Sequence, residues 1–270
     1  MAKHVNVIIP TVDRPGLLAR SVASVLAQPE TNVEVIVVFD GRPAQPVFED
    51  KRVRVTSTGT TPLGAGGARN HGAELADGSH VAFLDDDDLW EPDHLRHALS
   101  AVDAAPVVVG WSRFLGRRAA ATGGRDLSGD VGDTILNSLT PSLGAVLVER
   151  DSLLDFDEQW RAVEDVDWWL RVARHFPVIT VPHVGHVIRQ HDGERFGNGH
   201  RERVVENLAL IDWHREWFDE HPSAEAFRLR RAAHYAHSCG DRTQARRLLM
   251  RSLHRAPSAG GFRQLLRTVR

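Results

Sequence analysis

Cysteine occurs once, at Cys239, so the chain has no partner with which to close an intrachain disulfide and no thiolate set for a metal cage. Extracellular stapling and a cysteine-based zinc site are thereby set aside, and the cytosol is the expected compartment. Long apolar runs are missing too. No stretch approaches the roughly 20 apolar residues of a membrane span, and Met1 to His4 followed by Val5 to Ile9 and Pro10 is too short for a signal-peptide core. Lysine is confined to Lys3 and Lys51, so the basic side chains are almost all arginine. No Gly-x-Ser-x-Gly or His-Glu-x-x-His occurs, which weakens hydrolase readings. Gly59, Gly64, Gly66 and Gly67 match neither the phosphate loop nor the dinucleotide fingerprint, and are expected to form a flexible connection.

What is present is an ordinary globular composition, 42% hydrophobic and 26% charged over 270 residues, enough for one large domain or one domain with an appendage. The formal charge of −3 conceals unlike parts. Between Ala224 and Arg270 eleven arginines face two acids, Glu225 and Asp241, a local +9, which leaves −12 on the residues before them.

Val5 to Ile9 and Val33 to Phe39 are short, β-branched and apolar, as strands covered on both faces are. Between them Pro15 suits a first helical turn, and Leu17, Leu18, Ser21, Val22, Val25 and Leu26 make one stripe. The same alternation continues with strands at Val53 to Thr56 and Val81 to Leu84 around a helix at Ala68 to Ala76. A helix at Pro92 to Val102 and strands at Val107 to Phe114, Leu143 to Val148, Val178 to Val181 and Val184 to Ile188 follow, with a helix at Glu164 to His175. Arg117 to Gly132 and Asp192 to Gly199 read as polar loops. The remainder reads as helices at Arg203 to Asp219, Ala224 to Ser238 and Asp241 to His254, the last two forming one tetratricopeptide-like helix pair. The pattern predicts an α/β fold, with ligands beyond the carboxyl ends of the strands.

Asp85 to Asp88 directly follow a buried strand. Four adjacent carboxylates repel one another unless a cation offsets them. A solvated acidic turn is the bland reading, but the strand's carboxyl end favours a ligand site. Oxygen donors alone suit Mg²⁺ or Mn²⁺, and the spacing does not fit an EF-hand.

Five ordered motifs resemble those of inverting family 2 glycosyltransferases: Val7-Ile8-Ile9-Pro10-Thr11 with Asp13-Arg14, Val37 to Gly41, Gly67 to Gly72, Phe83 to Asp88, and Glu164 to Arg171. Arg189-Gln190-His191 follows where the family often has Arg-x-His. The resemblance implies a GT-A type, Rossmann-like, mostly parallel sheet flanked by helices in residues 1–200, with a helical extension over 201–270. It also implies a metal-dependent enzyme that transfers a sugar from a UDP, dTDP or GDP donor to a hydroxyl of a small-molecule, glycan or lipid-linked acceptor with inversion. Pro10, Thr11 and Asp13 would line the nucleotide pocket, and Asp40 would accept from the base, although Phe39 stands where the family commonly has another acid. Arg69 would meet a phosphate or the aspartate run. Asp87 would contact Mn²⁺ or Mg²⁺, Asp85 or Asp86 the ribose or the metal, and His191 would complete the site, with His183, His186 and His200 as rivals for a histidine role. Asp165 would be the general base, although Glu164, Asp165 and Asp167 also suit a helix start. One of Trp168 and Trp169 is available to stack on a sugar, while packing on the sheet accounts for the other.

Two other activities fit less well. A sugar-phosphate nucleotidyltransferase needs a glycine cluster near the first strand that Thr11 to Gly16 lacks, and a non-catalytic binder leaves the acidic motifs without a task. A solvated arginine face accounts for the basic tail. Docking on an anionic membrane leaflet, or on the acidic body of another subunit, is the next reading. Nucleic acid is disfavoured because no aromatics interleave with the arginines.

Overall fold

The computed structural model describes residues 3–29, 32–45, 48–115, 126–128, 131, 136, 140–189 and 199–269. His191 and most of the two expected polar loops lie outside them. Two compact units result, residues 1–131, 141–158 and 171–195 in one, and 132–140, 159–170 and 196–270 in the other.

The first unit is built on an eight-stranded sheet. Its strands are β1 (His4–Thr11), β2 (Asn32–Phe39), β3 (Val53–Ser57), β4 (His80–Phe83), β5 (Leu89–Trp90), β6 (Val107–Leu115), β7 (Val146–Glu149) and β8 (Val178–Arg189), in the order β3-β2-β1-β4-β7-β6-β8-β5. The β3-β2-β1-β4 half is parallel, and there the strands read as apolar runs because helices cover the sheet. In the other half β7 runs antiparallel to both β4 and β6, and β5 antiparallel to β8, while β6 and β8 are parallel. The sheet is therefore mixed, and its parallel half carries the first, second and fourth motifs, at the ends of β1, β2 and β4.

Helix α1 (Pro15–Leu26) buries Leu18, Ser21, Val22 and Val25, the expected stripe, in the core formed by Val5, Val7, Ile9, Val35 and Val37. Helix α2 (Gly64–Glu74) starts earlier than expected and takes in three of the glycines assigned to a flexible connection. The Leu63 and Gly64 N–H groups donate to Asp40, which anchors that earlier start, and the helix packs close to β1. A Cβ on Gly72 would lie 2.5 Å from Ile8 Cγ2, so only glycine lets the helix approach β1 this closely. Helix α3 (His94–Leu99) is shorter than Pro92 to Val102.

The two short strands expected around Pro182 are one strand, β8. The register with β6 shifts between Val109 and Trp111, opposite Thr180 and Val184, so Pro182 falls in a bulge where its missing N–H breaks no ladder bond. Leu143 to Ala145 form a 3₁₀ turn, and only Val146–Glu149 is strand.

In the second unit the helix expected from Arg203 to Asp219 is two, α5 (His200–Trp213) and α6 (Arg215–Glu220), interrupted at His214, whose Nε2 lies 2.7 Å from Asp167 Oδ1. Helix α4 (Glu164–His175) begins in this unit with Glu164 to Leu170. Helices α7 (Pro222–Ser238) and α8 (Arg242–Arg255) form the expected pair, turned at Gly240 (φ +83°) and capped by Asp241, which accepts from the Gln244 N–H at 2.8 Å. A further helix, α9 (Ala259–Val269), follows Pro257 within the helical extension expected over 201–270, beyond the three helices placed there.

His94 in the first unit is wholly buried beside Trp90, and a Cβ on Gly185 would lie 2.2 Å from its Nδ1. Burial pushes its pKa down to about 3. The folded ring stays neutral where the unfolded chain takes up a proton below its ordinary value of 6.5, so stability is retained above that pH and lost as pH falls towards 3. Urea titrations at successive pH values should show this slope, approaching about 1.4 kcal/mol per pH unit at its steepest. His94→Gln should flatten it.

Candidate functional site

Parallel pairing brings the carboxyl ends of β1, β2 and β4 together: Thr11 pairs with Phe39, Ile8 pairs with Phe83, and Leu84 N–H donates to Ile8 O. Asp85 to Asp88 turn away from the end of β4, closed by a bond from Asp88 N–H to Asp85 O of 3.1 Å. Each carboxylate then meets a different partner. Asp85 accepts from Arg69 Nη2 at 2.8 Å and keeps 47% of its side chain exposed. Asp86 is buried and accepts from the Thr11 hydroxyl at 2.6 Å. Asp87 accepts from Arg14 Nη1 at 2.7 Å, and the same nitrogen lies 3.5 Å from Asp86. Asp88, also buried, has His186 Nε2 3.0 Å from Oδ2 and accepts from Arg189 N–H at 2.9 Å on Oδ1.

Burial raises the pKa of Asp86 to about 6, against the lowering effects of the Thr11 hydroxyl and Arg14. Asp88 is raised for the same reason, with the His186 contact opposing. His186 is itself fixed: Ser112 Oγ lies 3.0 Å from Nδ1, and a Cβ on Gly144 would lie 2.3 Å from Nε2. Helix α1 holds the turn from its other side, where Ser21 Oγ donates to Asp88 O at 2.6 Å, Ser24 Oγ accepts from Trp90 N–H at 3.1 Å, and Gln28 bonds both Glu91 O and Leu95 N–H.

The remaining expected residues of this unit are placed as follows. Pro10 is buried in register with Val38. Thr11 is buried, and its hydroxyl points to Asp86. Asp13 is exposed and pairs with Arg42 at 2.7 Å. Asp40 is buried; its carboxylate accepts from the Thr58 hydroxyl at 2.9 Å and from the Leu63 and Gly64 N–H groups at 2.7 and 2.9 Å, which makes it the anion at the start of α2. Arg69 also lies over the Phe156 ring at 5.4 Å. Carboxylate oxygens of Asp85, Asp87 and Asp88 all fall within 4.8 Å of one another, a hard oxygen set of the kind that suits a divalent cation.

Asp165 belongs to the second unit. Its Oδ1 accepts from the Val166 N–H at 2.8 Å, and Thr140 Oγ1 lies 3.4 Å from Oδ2. Asp167, its neighbour on α4, is buried against His214. Arg228 is buried nearby, where desolvation lowers its pKa to about 10 and the Asp165 charge acts in the opposite sense. Trp168 and Trp169 are both fully buried, ring centroids 5.1 Å apart, so neither offers a sugar-stacking face; both pack, as their place on the apolar side of a short helix requires. Sequence reasoning had given no role to Arg14, Ser112 or Arg228. Arg14 stands inside a quoted motif, but the partners of the other two lie 74 and 63 residues away, beyond any local pattern.

Residues 6–126 match the model of the family "Glycosyl transferase family 2". The succinoglycan biosynthesis protein ExoW of Rhizobium meliloti is 37% identical over 125 residues, which is 43% of this chain and 39% of that protein. An Escherichia coli relative, named as the UDP-Glc:alpha-D-GlcNAc-diphosphoundecaprenol beta-1,3-glucosyltransferase WfgD, is 33% identical over 101 residues, 36% of this chain and 40% of its own. The matched part thus spans about two fifths of these relatives' lengths. The S. aureus TarS 1–349 structure in complex with UDP-GlcNAc superposes with a TM-score of 0.67 at 17% identity, over 94% of this chain and 82% of that one. The chain shares its fold.

The unequal partners of the four aspartates predict unequal costs of removing them. Asp88→Ala strands His186 and the Arg189 N–H and should lower unfolding free energy by about 3–5 kcal/mol. Asp85→Ala removes a half-exposed carboxylate but also takes one from the buried Arg69 guanidinium, and should cost less than Asp88→Ala without being neutral. Urea denaturation of the two variants measures both.

Proposed function

We propose that this chain, whose residues 6–126 form a glycosyl transferase family 2 domain on a GT-A fold, transfers a sugar from a nucleoside diphosphate donor to an acceptor hydroxyl with inversion at the anomeric carbon. The observation that carries the reading is the aspartate turn at the carboxyl end of β4, flanked by Arg14 and Arg69. Carboxylates there suit a ribose hydroxyl and a divalent cation, and the guanidiniums suit a diphosphate. The UDP-GlcNAc bound to TarS and the UDP-Glc donor of the E. coli relative favour UDP among the UDP, GDP and dTDP donors. The name of that relative also favours a lipid-linked acceptor over a small molecule.

Departure of the nucleoside diphosphate leaves growing negative charge on its oxygens, and Mn²⁺ or Mg²⁺ held by Asp85 and Asp87 would supply the Lewis acid that stabilises it. Arg14, which pairs with Asp87, would offer its guanidinium to the donor phosphates. Asp86, held by Thr11, would accept from a ribose hydroxyl. Asp165 takes the acceptor's proton as that oxygen attacks opposite the leaving phosphate. The commitment of Asp167 to His214 favours Asp165 over its neighbour, and such a base contributes typically 10²–10⁴-fold in rate.

Asp165→Asn should abolish transfer while leaving nucleotide binding intact, and Asp87→Ala should weaken Mn²⁺-dependent nucleotide binding. Full turnover in Asp165→Asn would remove the base. Release of pyrophosphate from a nucleoside triphosphate and a sugar phosphate would replace the whole reading with nucleotidyl transfer. A thermal-shift panel of UDP, GDP and dTDP sugars with Mn²⁺ identifies the donor, since ligand at 100 times its Kd stabilises by about 2.7 kcal/mol.

A further inference from the structure

Ten of the eleven arginines of the basic tail, all but Arg270, which lies outside the described residues, divide into two groups. Arg228, Arg230, Arg231, Arg246 and Arg255 hold the second unit together. Arg228 is buried, Arg230 bonds the Ser252 and Ser258 hydroxyls, Arg231 the Tyr235 hydroxyl, Arg246 the Thr268 carbonyl, and Arg255 meets the buried Glu225. Arg242, Arg247, Arg251, Arg263 and Arg267 are exposed. The tail's only acids do not offset them, because Glu225 is buried against Arg255 and Arg215, and Asp241 caps α8.

The exposed arginines share their surface with large apolar side chains. On α9, Phe262 is 54% exposed and Leu266 67%, one turn apart on a single stripe, while Gly261, Leu265 and Thr268 turn inward. Arg263 and Arg267 form the adjacent stripe, and Met250 of α8 is 59% exposed. On the far side of the arginine stripe lies a groove of about 690 Å³ between α7 and α9, lined by His234, His237, Arg263 and Arg267 among others. Leaving Phe262 and Leu266 in water forgoes the burial free energy of two large apolar side chains. An apolar stripe edged by arginines is the arrangement that lets a helix lie at the boundary of a bilayer, rings and methyls inward and guanidiniums level with the phosphates.

We propose that this face of α9, with the His234–His237 groove beside it, seats the protein on an anionic phospholipid surface. Phe262 and Leu266 enter the acyl boundary, and Arg263 and Arg267 meet headgroup phosphates. A partner made only of acidic protein surface would satisfy the arginines and leave the apolar stripe unexplained.

Co-sedimentation of the full chain with vesicles tests this, comparing phosphatidylcholine alone with equal parts of phosphatidylcholine and phosphatidylglycerol. Binding is expected only to the anionic vesicles and should weaken with added salt. R263E/R267E should lower the partition coefficient by about tenfold or more. F262S/L266S should lower it as well, including at low salt, and both pairs should keep the parent melting temperature because the altered side chains are exposed. The proposal is overturned if the parent stays in the supernatant with anionic vesicles. It is equally overturned if both double variants bind as the parent does, or if they change only the sedimentation mass of the free protein, which would make this face a contact between copies of the chain.

Discussion

Four carboxylates in consecutive residues at the end of a buried strand are the constraint around which the first unit is arranged. Two such charges at about 4 Å repel by roughly 4 kcal/mol in a partly desolvated setting. The chain meets this by giving each aspartate its own partner from a different element: Arg69 from α2, the Thr11 hydroxyl from β1, Arg14 before α1 and His186 from β8. Those partners are spread from residue 11 to residue 186, so the acidic turn and the sheet that carries it form together. The same distribution leaves Asp85 half-exposed and Asp87 matched to a guanidinium, while Asp86 and Asp88 are buried.

The supports around that turn are polar and local in effect. The serines of α1 and the glutamine just after it are turned inward: Ser21, Ser24 and Gln28 bond the backbone from Asp88 to Leu95. They satisfy main-chain groups that an irregular segment next to the core would otherwise leave without partners. Asp40 does the same for the start of α2, whose glycines bring it onto β1. An α/β site of this kind depends as much on these backbone contacts as on the residues that meet the ligand, because they hold the strand ends in register.

In the second unit the same distinction separates two uses of one residue type. Arginines that read alike in sequence are structural when their helix positions face inward and surface-forming when they do not. Arg255 and Arg251 lie on one helix, and only the first reaches an acid. Asp167 likewise becomes a buried partner of His214, whereas Asp165, two residues earlier, keeps Thr140 and the charge of Arg228.

The strands Val5 to Ile9, Val33 to Phe39 and Val81 to Leu84, the stripe of α1 and the position of the aspartate run were legible because they rest on local periodicity and on the burial of apolar runs. So was the likeness to family 2 glycosyltransferases, since their motifs are short and ordered. The antiparallel half of the sheet, the single strand through Pro182, the break at His214, the helix α9 and the fate of the Trp168-Trp169 pair were not, for each is set by contacts with residues distant in the chain. Sequence alone sets where the acids and arginines fall along the chain and, through local periodicity, which of them sit on β1, α1, β2 and the end of β4. Tertiary structure alone decided which of them pair, because hydrogen bonds and ion pairs depend on distances that only folding establishes.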